Sequence, residues 1–386
     1  MVRNFTKVKK IKSKSLAFLF LVAIFAPLIG SIFNLGVNSD ESILFSELRP
    51  AAKFPNLKLV ISHPPDYLRE VQQYYNDHFG FRKTLIEYYG IAKVLWLNES
   101  FSPKVIVGKK GWLFLSNDGG NSELNYYRST NPFTSKELAA LKLTLEQRNN
   151  WLASKGIHYL LVIAPNKTTI YPEFLPESIN RVRQESRLDQ LIAYMKVNSN
   201  VRILDLRDSL HSAKANDLIY ARRDTHWNDL GAFVAYQQIL KSLAIWYPNM
   251  KALPRAGFKL KTTYENADLI NMVGLTDIMK DENLALIPLN PGPAHKADPG
   301  IYRPDLPVKR QPFATEVKNL SLPRAVMFRD SFTERLAPFL SEHFKRILYL
   351  SQDELDGSVV KKEHPDIVIQ EIVERKLMTP ISNSPL

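Results

Sequence analysis

Short apolar runs alternate with helical patterns from about residue 158 onward, and this alternation constrains the fold more than any other feature. The runs predict buried strands at residues 158 to 164, 201 to 206, 325 to 328, 346 to 350 and 366 to 369. The helical patterns lie at about 184 to 197, 229 to 246, 332 to 344 and, more weakly, 352 to 362. The order predicts an α/β domain with a mainly parallel sheet and helices on both faces, with functional groups at the carboxyl ends of the strands.

Two further segments have distinctive sequence patterns. Thr134 and Glu137 have the reciprocal spacing of a capping box, and the periodic stretch that they open stops at Gly156, which predicts a helix. Residues 288 to 312 contain seven prolines, too many for a regular element, and predict a long surface loop.

The N-terminus carries an uncharged, mostly apolar run behind a basic flank. The run has the length of a membrane-spanning helix, and we expect a cytoplasmic tail over residues 1 to 15 and a transmembrane signal-anchor over 16 to 35. A cleaved signal peptide and a soluble core helix are the alternatives. An irregular, proline-punctuated tether is expected over 36 to 75, followed by one folded domain over 76 to 386 outside the cytoplasm.

Composition excludes several classes of protein. The chain has no Cys, which removes disulfide scaffolds, thiolate metal sites and cysteine nucleophiles. The net charge of +12 includes six basic residues within the first fourteen, so the remaining chain is only mildly basic, at +6. With no recognition motif present, nucleic-acid binding is a poor interpretation.

The segment Asp224-Thr225-His226-Trp227-Asn228 is the first candidate for chemistry. A carboxylate two residues before an imidazole can bond one ring nitrogen and leave the other as a base. An N-terminal cap at Asn228 followed by a surface histidine is the structural alternative, and a metal-binding Asp/His pair is a third.

Ser331 is the second candidate, because it follows the strand at 325 to 328 and precedes a helical pattern. Backbone N–H groups and the helix dipole can stabilise an oxyanion at such a junction. A helix cap is the alternative, since Asp and Ser are preferred there. A serine nucleophile needs a histidine base and an orienting aspartate, so Ser331, His226 and Asp224 support one another.

Asn166 and Lys167 directly follow the strand at 158 to 164. Asn166 can donate a side-chain N–H to an oxyanion, and Lys167 can meet an acidic substrate; a turn residue after proline is the alternative for Asn166. Trp227 and Trp112 are candidate sugar contacts, with burial in the core as the alternative. We expect no metal or other cofactor, because the remaining histidines show no paired spacing and no HExxH motif occurs.

With these residues in this order, the chain resembles the alginate O-acetyltransferase AlgJ/AlgX-like family. The resemblance spans about residues 41 to 376, and its matching motifs follow the family's order. They lie at residues 75 to 82, 107 to 114, 165 to 167 with 171 and 172, 224 to 227, 330 to 332, and 365 to 369 with 374 and 375. One departure is Arg329, which stands where such proteins commonly have Gly before Asp-Ser.

The resemblance implies an SGNH-hydrolase-like three-layer α/β/α domain after one N-terminal transmembrane helix. It also implies that Ser331, with His226 and Asp224, takes an acetyl group and passes it to a hydroxyl of an exported or cell-surface polysaccharide. A multispanning membrane acyltransferase would supply the acetyl group, and the domain would lie in the periplasm, anchored in the inner membrane. Because Arg329 departs from the family's pattern, its contact with an anionic substrate is a separate hypothesis, based on the charge of its side chain.

Two other functions use the same fold. A carbohydrate acetyl esterase would employ the same triad with water as the acceptor. A catalytically inactive glycan-binding scaffold subunit of an export complex would keep the fold, and Arg329 beside the nucleophile keeps that alternative open.

Overall fold

The computed structural model describes residues 13–33, 51–117 and 122–379. Most of the predicted basic tail and residues 36–50 of the predicted tether lie outside the described residues. The α-helices of the described residues are α1 (Ser13–Ile32), α2 (Leu59–Ser62), α3 (Pro64–His78), α4 (Arg82–Gly90), α5 (Glu123–Arg128), α6 (Ser135–Ala153), α7 (Lys167–Ile170), α8 (Arg187–Asn198), α9 (Arg207–Lys214), α10 (Asp229–Leu243), α11 (Asp268–Met272), α12 (Thr333–Leu340) and α13 (Gly357–Glu363).

The strands are β1 (Val105–Val107), β2 (Leu113–Leu115), β3 (His158–Ala164), β4 (Ile203–Asp205), β5 (Phe258–Glu265), β6 (Asp281–Pro288), β7 (His295–Ala297), β8 (Phe313–Glu316), β9 (Arg324–Arg329), β10 (Arg346–Ser351) and β11 (Ile367–Val373). A π-helical turn covers Ile91–Trp96, and a 3-10 helix, Glu374–Met378, directly follows β11.

The chain divides into two units. The first holds the residues up to Phe101 together with Asn271–Ile278, and its described part is helical. Within it, the backbone N–H of Gly80 donates to Ser31 Oγ at 2.8 Å, and a Cβ at Gly80 would lie 2.6 Å from the Gly30 backbone. Only a glycine permits so close an approach.

The N-terminal predictions have mixed outcomes. Residues 64 to 75 of the predicted tether are helical rather than irregular, because the two prolines occupy the first turn of α3, where a missing N–H costs nothing. Helix α1 lies where the anchor is predicted. However, none of the helices within residues 13–33, 51–117 and 122–379 has the length and hydropathy that crossing a bilayer requires, so the transmembrane helix is not confirmed.

The second unit comprises Ser102–Ile270 and Met279–Leu386 and is built on a seven-stranded sheet of order β4-β3-β11-β9-β10-β8-β7. The strands from β4 to β10 in this order are parallel, as predicted. Strands β8 and β7 add an antiparallel edge, so the sheet is mixed. Strand β7 lies within the predicted proline-rich loop, which otherwise contains only one 3-10 turn between residues 289 and 312.

Helices cover both faces of this sheet, as alternate residues of β3 show. Leu160 and Val162 join the core that contains α10 and α12, whereas Leu161 and Ile163 join the core that contains α6 and α8. The predicted α/β fold with helices on both faces is therefore confirmed. The parallel strands end at a common edge, to which the candidate site residues are attached.

Candidate active site

Ser331 lies exposed just beyond the carboxyl end of β9, on a junction tied to the neighbouring strand β11. The Asp330 carboxylate accepts the backbone N–H groups of Phe332 at 2.9 Å and Val373 at 2.7 Å. The Asp330 N–H donates to Glu371 Oε2 at 3.1 Å. These bonds fix the backbone on both sides of the serine, and its hydroxyl is directed to a histidine instead of capping α12.

His226 lies between the serine and an aspartate. Its Nε2 is 2.7 Å from Ser331 Oγ, and its Nδ1 is 2.7 Å from Asp224 Oδ1. An ionised carboxylate only accepts, so Asp224 keeps the proton on Nδ1, and Nε2 of the neutral ring accepts from the serine hydroxyl. The structure thus brings together the three residues that the sequence singles out, in the order Ser331, His226, Asp224.

The loop that carries Asp224 and His226 is held at both ends. Asn228 caps α10 by accepting the backbone N–H groups of Leu230 and Gly231, so the predicted cap is present beside the histidine. A Cβ at Gly231 would lie 2.4 Å from the Ile219 carbonyl oxygen, so the helix can approach the loop only with glycine there.

Lys167 holds the same loop through its ammonium group. It is 1% exposed, and its ammonium donates to the carbonyl oxygens of Ala221 at 3.3 Å, Arg222 at 3.2 Å and Asp224 at 2.5 Å. Burial lowers the pKa of Lys167 to about 8, against the opposing attraction of nearby carboxylates. The predicted contact with an acidic substrate is therefore not supported, because the amine is buried and bonded to backbone.

Asp268 is a site residue that the sequence interpretation missed. Its backbone N–H donates to Asp224 Oδ2 at 3.0 Å, and its own Oδ1 accepts the Thr225 N–H at 2.7 Å. Its Oδ2 lies 3.9 Å from His226 Nδ1. Asp268 lies in the connection between β5 and β6, and the alternation of β5 (Phe258, Lys259, Leu260, Lys261) was the sequence signal for that hairpin.

Two acids beside one imidazole change its titration. Burial alone would lower the pKa of His226, but the charges of Asp224 and Asp268 outweigh it and raise that pKa to about 8. Burial opposes ionisation of Asp224, yet the bond and charge of His226 hold its pKa below the ordinary value. Burial and the nearby charge of Asp224 raise the pKa of Asp268.

Asn166 follows β3, adjacent to β11, and is fully buried. Its backbone N–H donates to Glu374 Oε1 at 2.9 Å, and its side-chain Oδ1 accepts from Arg375 Nη1 at 3.1 Å. Its Nδ2 has no hydrogen-bond partner. The side-chain NH₂ group of Asn166 is thus left over as a donor, which is what an oxyanion ligand requires. Burial raises the pKa of the neighbouring Glu374 carboxyl to about 7.

The remaining predicted substrate contacts are buried in the structure. Arg329 is 2% exposed, with its guanidinium over the Phe313 ring and its Nη1 donating to the Asp330 carbonyl at 3.2 Å, so it has little surface to offer an anion. Trp227 is 1% exposed and donates from Nε1 to the Phe332 carbonyl at 3.0 Å. Trp112 is 3% exposed and stacks on Phe174. Neither tryptophan presents a face to a sugar.

One group of side chains is close enough to share a metal ion in the described part of the chain, and it consists of Asp224, His226 and Asp268. Its atoms already bond to one another and to backbone N–H groups, as described above. An acid pair that orients a histidine accounts for this cluster without a cation.

The α/β architecture of this unit, a mainly parallel sheet with helices on both faces, has counterparts among solved structures. The structure of Bacillus cereus PatB1 shares this fold with a TM-score of 0.50 and 18% identity, covering 71% of this chain and 96% of that one. The model of the family described as an SGNH hydrolase-like domain, acetyltransferase AlgX, matches residues 105–288. The resemblance to this family is therefore confirmed; the matched range includes Asp224 and His226 and ends before Ser331.

Curated relatives carry related names. The probable alginate O-acetylase AlgJ of Pseudomonas aeruginosa is 24% identical over 198 residues, which cover 49% of this chain and 42% of that protein. Its namesake from Pseudomonas fluorescens is 23% identical over 225 residues, covering 58% of this chain and 50% of that protein. This chain thus spans half or less of the length of these relatives.

Proposed function

We propose that this chain is an O-acetyltransferase that carries an acetyl group on Ser331 and passes it to a hydroxyl of an exported or cell-surface polysaccharide. The observation that carries the proposal is the line of two 2.7 Å contacts from Ser331 Oγ through His226 to Asp224. The relatives named probable alginate O-acetylases support acetyl transfer to a polysaccharide as the reaction.

In the first step Ser331 Oγ attacks the acetyl carbonyl carbon of the donor while His226 Nε2 takes the hydroxyl proton. The negative charge that develops on the carbonyl oxygen is stabilised by Asn166 Nδ2, the buried donor without a partner. The bond to the donor's leaving group then breaks, and His226 returns the proton to that group. Asp224 stabilises the imidazolium in between.

In the second step a sugar hydroxyl replaces the leaving group. His226 Nε2 takes the hydroxyl proton, the sugar oxygen attacks the acetyl-serine, and the bond from the carbonyl carbon to Ser331 Oγ breaks. The proton returns to Ser331, so the enzyme is regenerated and one acetyl group has moved. Water in place of the sugar would make the same site an esterase.

The proposed reaction also requires an acetyl donor and a location outside the cytoplasm. A polysaccharide outside the cytoplasm cannot be acetylated from cytoplasmic acyl-CoA, so a multispanning acyltransferase of the inner membrane would deliver the acetyl group. The folded region predicted over residues 76 to 386, which includes the α/β unit with the site, would lie in the periplasm behind an N-terminal anchor over residues 16 to 35. Protease treatment of spheroplasts should then remove the domain, and protection of the domain would contradict this location.

The experiment separates transfer from hydrolysis. The full chain is incubated with an activated acetyl ester, with and without acetyl-free oligosaccharides, and the sugars are analysed by mass spectrometry. We expect acetylated sugar with the wild type and none with Ser331→Ala. Ser212→Ala, which removes an exposed hydroxyl on α9, is the matched control and should keep full activity. Ester hydrolysis that no sugar intercepts would contradict transfer.

A further inference from the structure

Glu374 and Arg375, which belong to the last motif of the family resemblance, directly follow β11. In the sheet, β11 lies between β3, which precedes Asn166, and β9, which precedes Ser331. The pair therefore lies between the nucleophile and the asparagine at the carboxyl edge of the sheet. Both side chains are buried, with Glu374 fully enclosed and Arg375 7% exposed.

The Arg375 guanidinium determines which way the Asn166 amide points. Its Nη1 donates to Asn166 Oδ1 at 3.1 Å, and arginine has donors only. A flipped amide would place its NH₂ group against the guanidinium N–H groups, two donors with no acceptor between them, in a buried site where the loss of a hydrogen bond is costly. Only one amide orientation is therefore compatible with Arg375.

Other contacts hold both partners in place. The Arg375 guanidinium lies 3.7 Å from Glu123 Oε2 and 6.0 Å from the Phe332 ring, next to the nucleophile. Glu374 Oε1 accepts the Asn166 backbone N–H at 2.9 Å and the Thr169 hydroxyl. The backbone and the carbonyl end of Asn166 are thus both held, and Nδ2 is the part of the side chain without a partner.

We propose that Arg375 is a positioning residue that fixes the amide of Asn166 with Nδ2 free for the substrate, while Glu374 fixes its backbone. This rests on the proposed function in one respect, namely that the free N–H serves as an oxyanion donor. Arg375 acts through Asn166, and its effect on the reaction therefore depends on that side chain.

A double-mutant cycle with an activated acetyl ester tests the coupling. Asn166→Ala should lower kcat by about 10²- to 10³-fold. Arg375→Met should lower kcat by about 10²-fold with little change in KM, because the donor is displaced. The double variant should be no slower than Asn166→Ala alone. Arg375→Lys, which keeps a cationic donor, should recover part of the rate.

Arg148→Met is the matched control. Arg148 is 3% exposed and donates to another amide oxygen, Gln370 Oε1, at 3.0 Å. Its loss should lower the melting temperature and leave kcat unchanged. A folded Arg375→Met variant with the wild-type kcat, or losses that multiply in the double variant, would overturn the proposal.

A second measurement does not depend on turnover. In full chain labelled with ¹⁵N-asparagine, the side-chain amide signals of Asn166 are identified by their disappearance in Asn166→Ala. They should shift or broaden in Arg375→Met and stay in place in Arg148→Met. Unchanged Asn166 signals in Arg375→Met would refute the positioning role even if the wild type proved inactive, whereas an inactive wild type with shifted signals would count against the proposed function alone.

Discussion

At the scale of single residues, the site depends on the proton of His226. Asp224 and Asp268 both attract that proton, and Arg375 opposes them. The contact of Ser331, His226 and Asp224 could be predicted from the sequence because each residue follows a strand or precedes a helix in a short, recognisable motif. The contacts of Asp268 with Asp224 and of Arg375 with Asn166 could not be predicted, because these partners are distant in sequence and only the folded chain brings them together.

The first prediction concerns pH. The imidazole must be neutral to take a proton from Ser331, and with its pKa raised to about 8 the value of kcat/KM should rise with pH to a midpoint near 8. In Asp224→Asn the attracting charge is lost, so the midpoint should move to lower pH while kcat falls about 10⁴-fold. Initial rates across a pH series measure both effects, and an unshifted midpoint in the variant would contradict the assignment.

The same shift affects stability with a defined sign. The folded state binds the His226 proton more tightly than the unfolded state does. This contribution to the free energy of unfolding is therefore complete below about pH 6.5 and is lost as the pH rises through about 8. Denaturant unfolding of wild type and His226→Gln across this interval should show a difference in pH dependence.

The second prediction concerns metal ions. Because hydrogen bonds within the cluster account for Asp224, His226 and Asp268, treatment with a chelator should leave acetyl-ester turnover unchanged. Activity that disappears on chelation and returns on adding Zn²⁺ or Mn²⁺ would show that the cluster is a metal site instead.

At the scale of elements, strands could be predicted from the sequence where their residues are apolar, and they were missed where their residues are polar. Strand β3 has the bounds that its apolar run predicts, and the helix predicted from Thr134 and Glu137 begins with both capping-box bonds present. Strand β11 continues past the predicted residue 369 to Val373, through Gln370 and Glu371. These buried polar residues are hydrogen-bonded, so a core strand can contain them. Their polarity nevertheless breaks the apolar run from which the strand was predicted.

The third prediction concerns the loop of residues 221 to 224. Lys167→Met leaves three carbonyl groups without their shared donor, and we expect a loss of about 2 to 4 kcal/mol in the free energy of unfolding. Turnover should fall as well, because Asp224 loses its support. Lys214→Met removes a lysine donor to the Ile170 carbonyl away from the triad and serves as the control. Equal effects of the two variants on turnover would contradict a specific role of Lys167.

At the scale of the whole molecule, the site depends on the order of strands in the sheet. Asn166, Arg375 and Ser331 follow β3, β11 and β9, which are parallel neighbours in the sheet, although the chain visits these strands in the order β3, β9, β11. The alternation of elements predicted a parallel sheet, but strand order depends on packing between elements far apart in sequence. The antiparallel edge of the sheet was missed for a different reason, because β8 is short and directly follows Pro312.

The fourth prediction tests the central claim, that Ser331 carries the acetyl group. The full chain is mixed with an activated acetyl ester without a sugar acceptor, quenched in acid, digested and analysed by peptide mass spectrometry. We predict one acetyl group on the peptide that contains Ser331, absent in Ser331→Ala and lost when an acceptor sugar is added before the quench. Acetylated sugar formed while Ser331 stays unmodified, or formed equally by Ser331→Ala, would contradict the account.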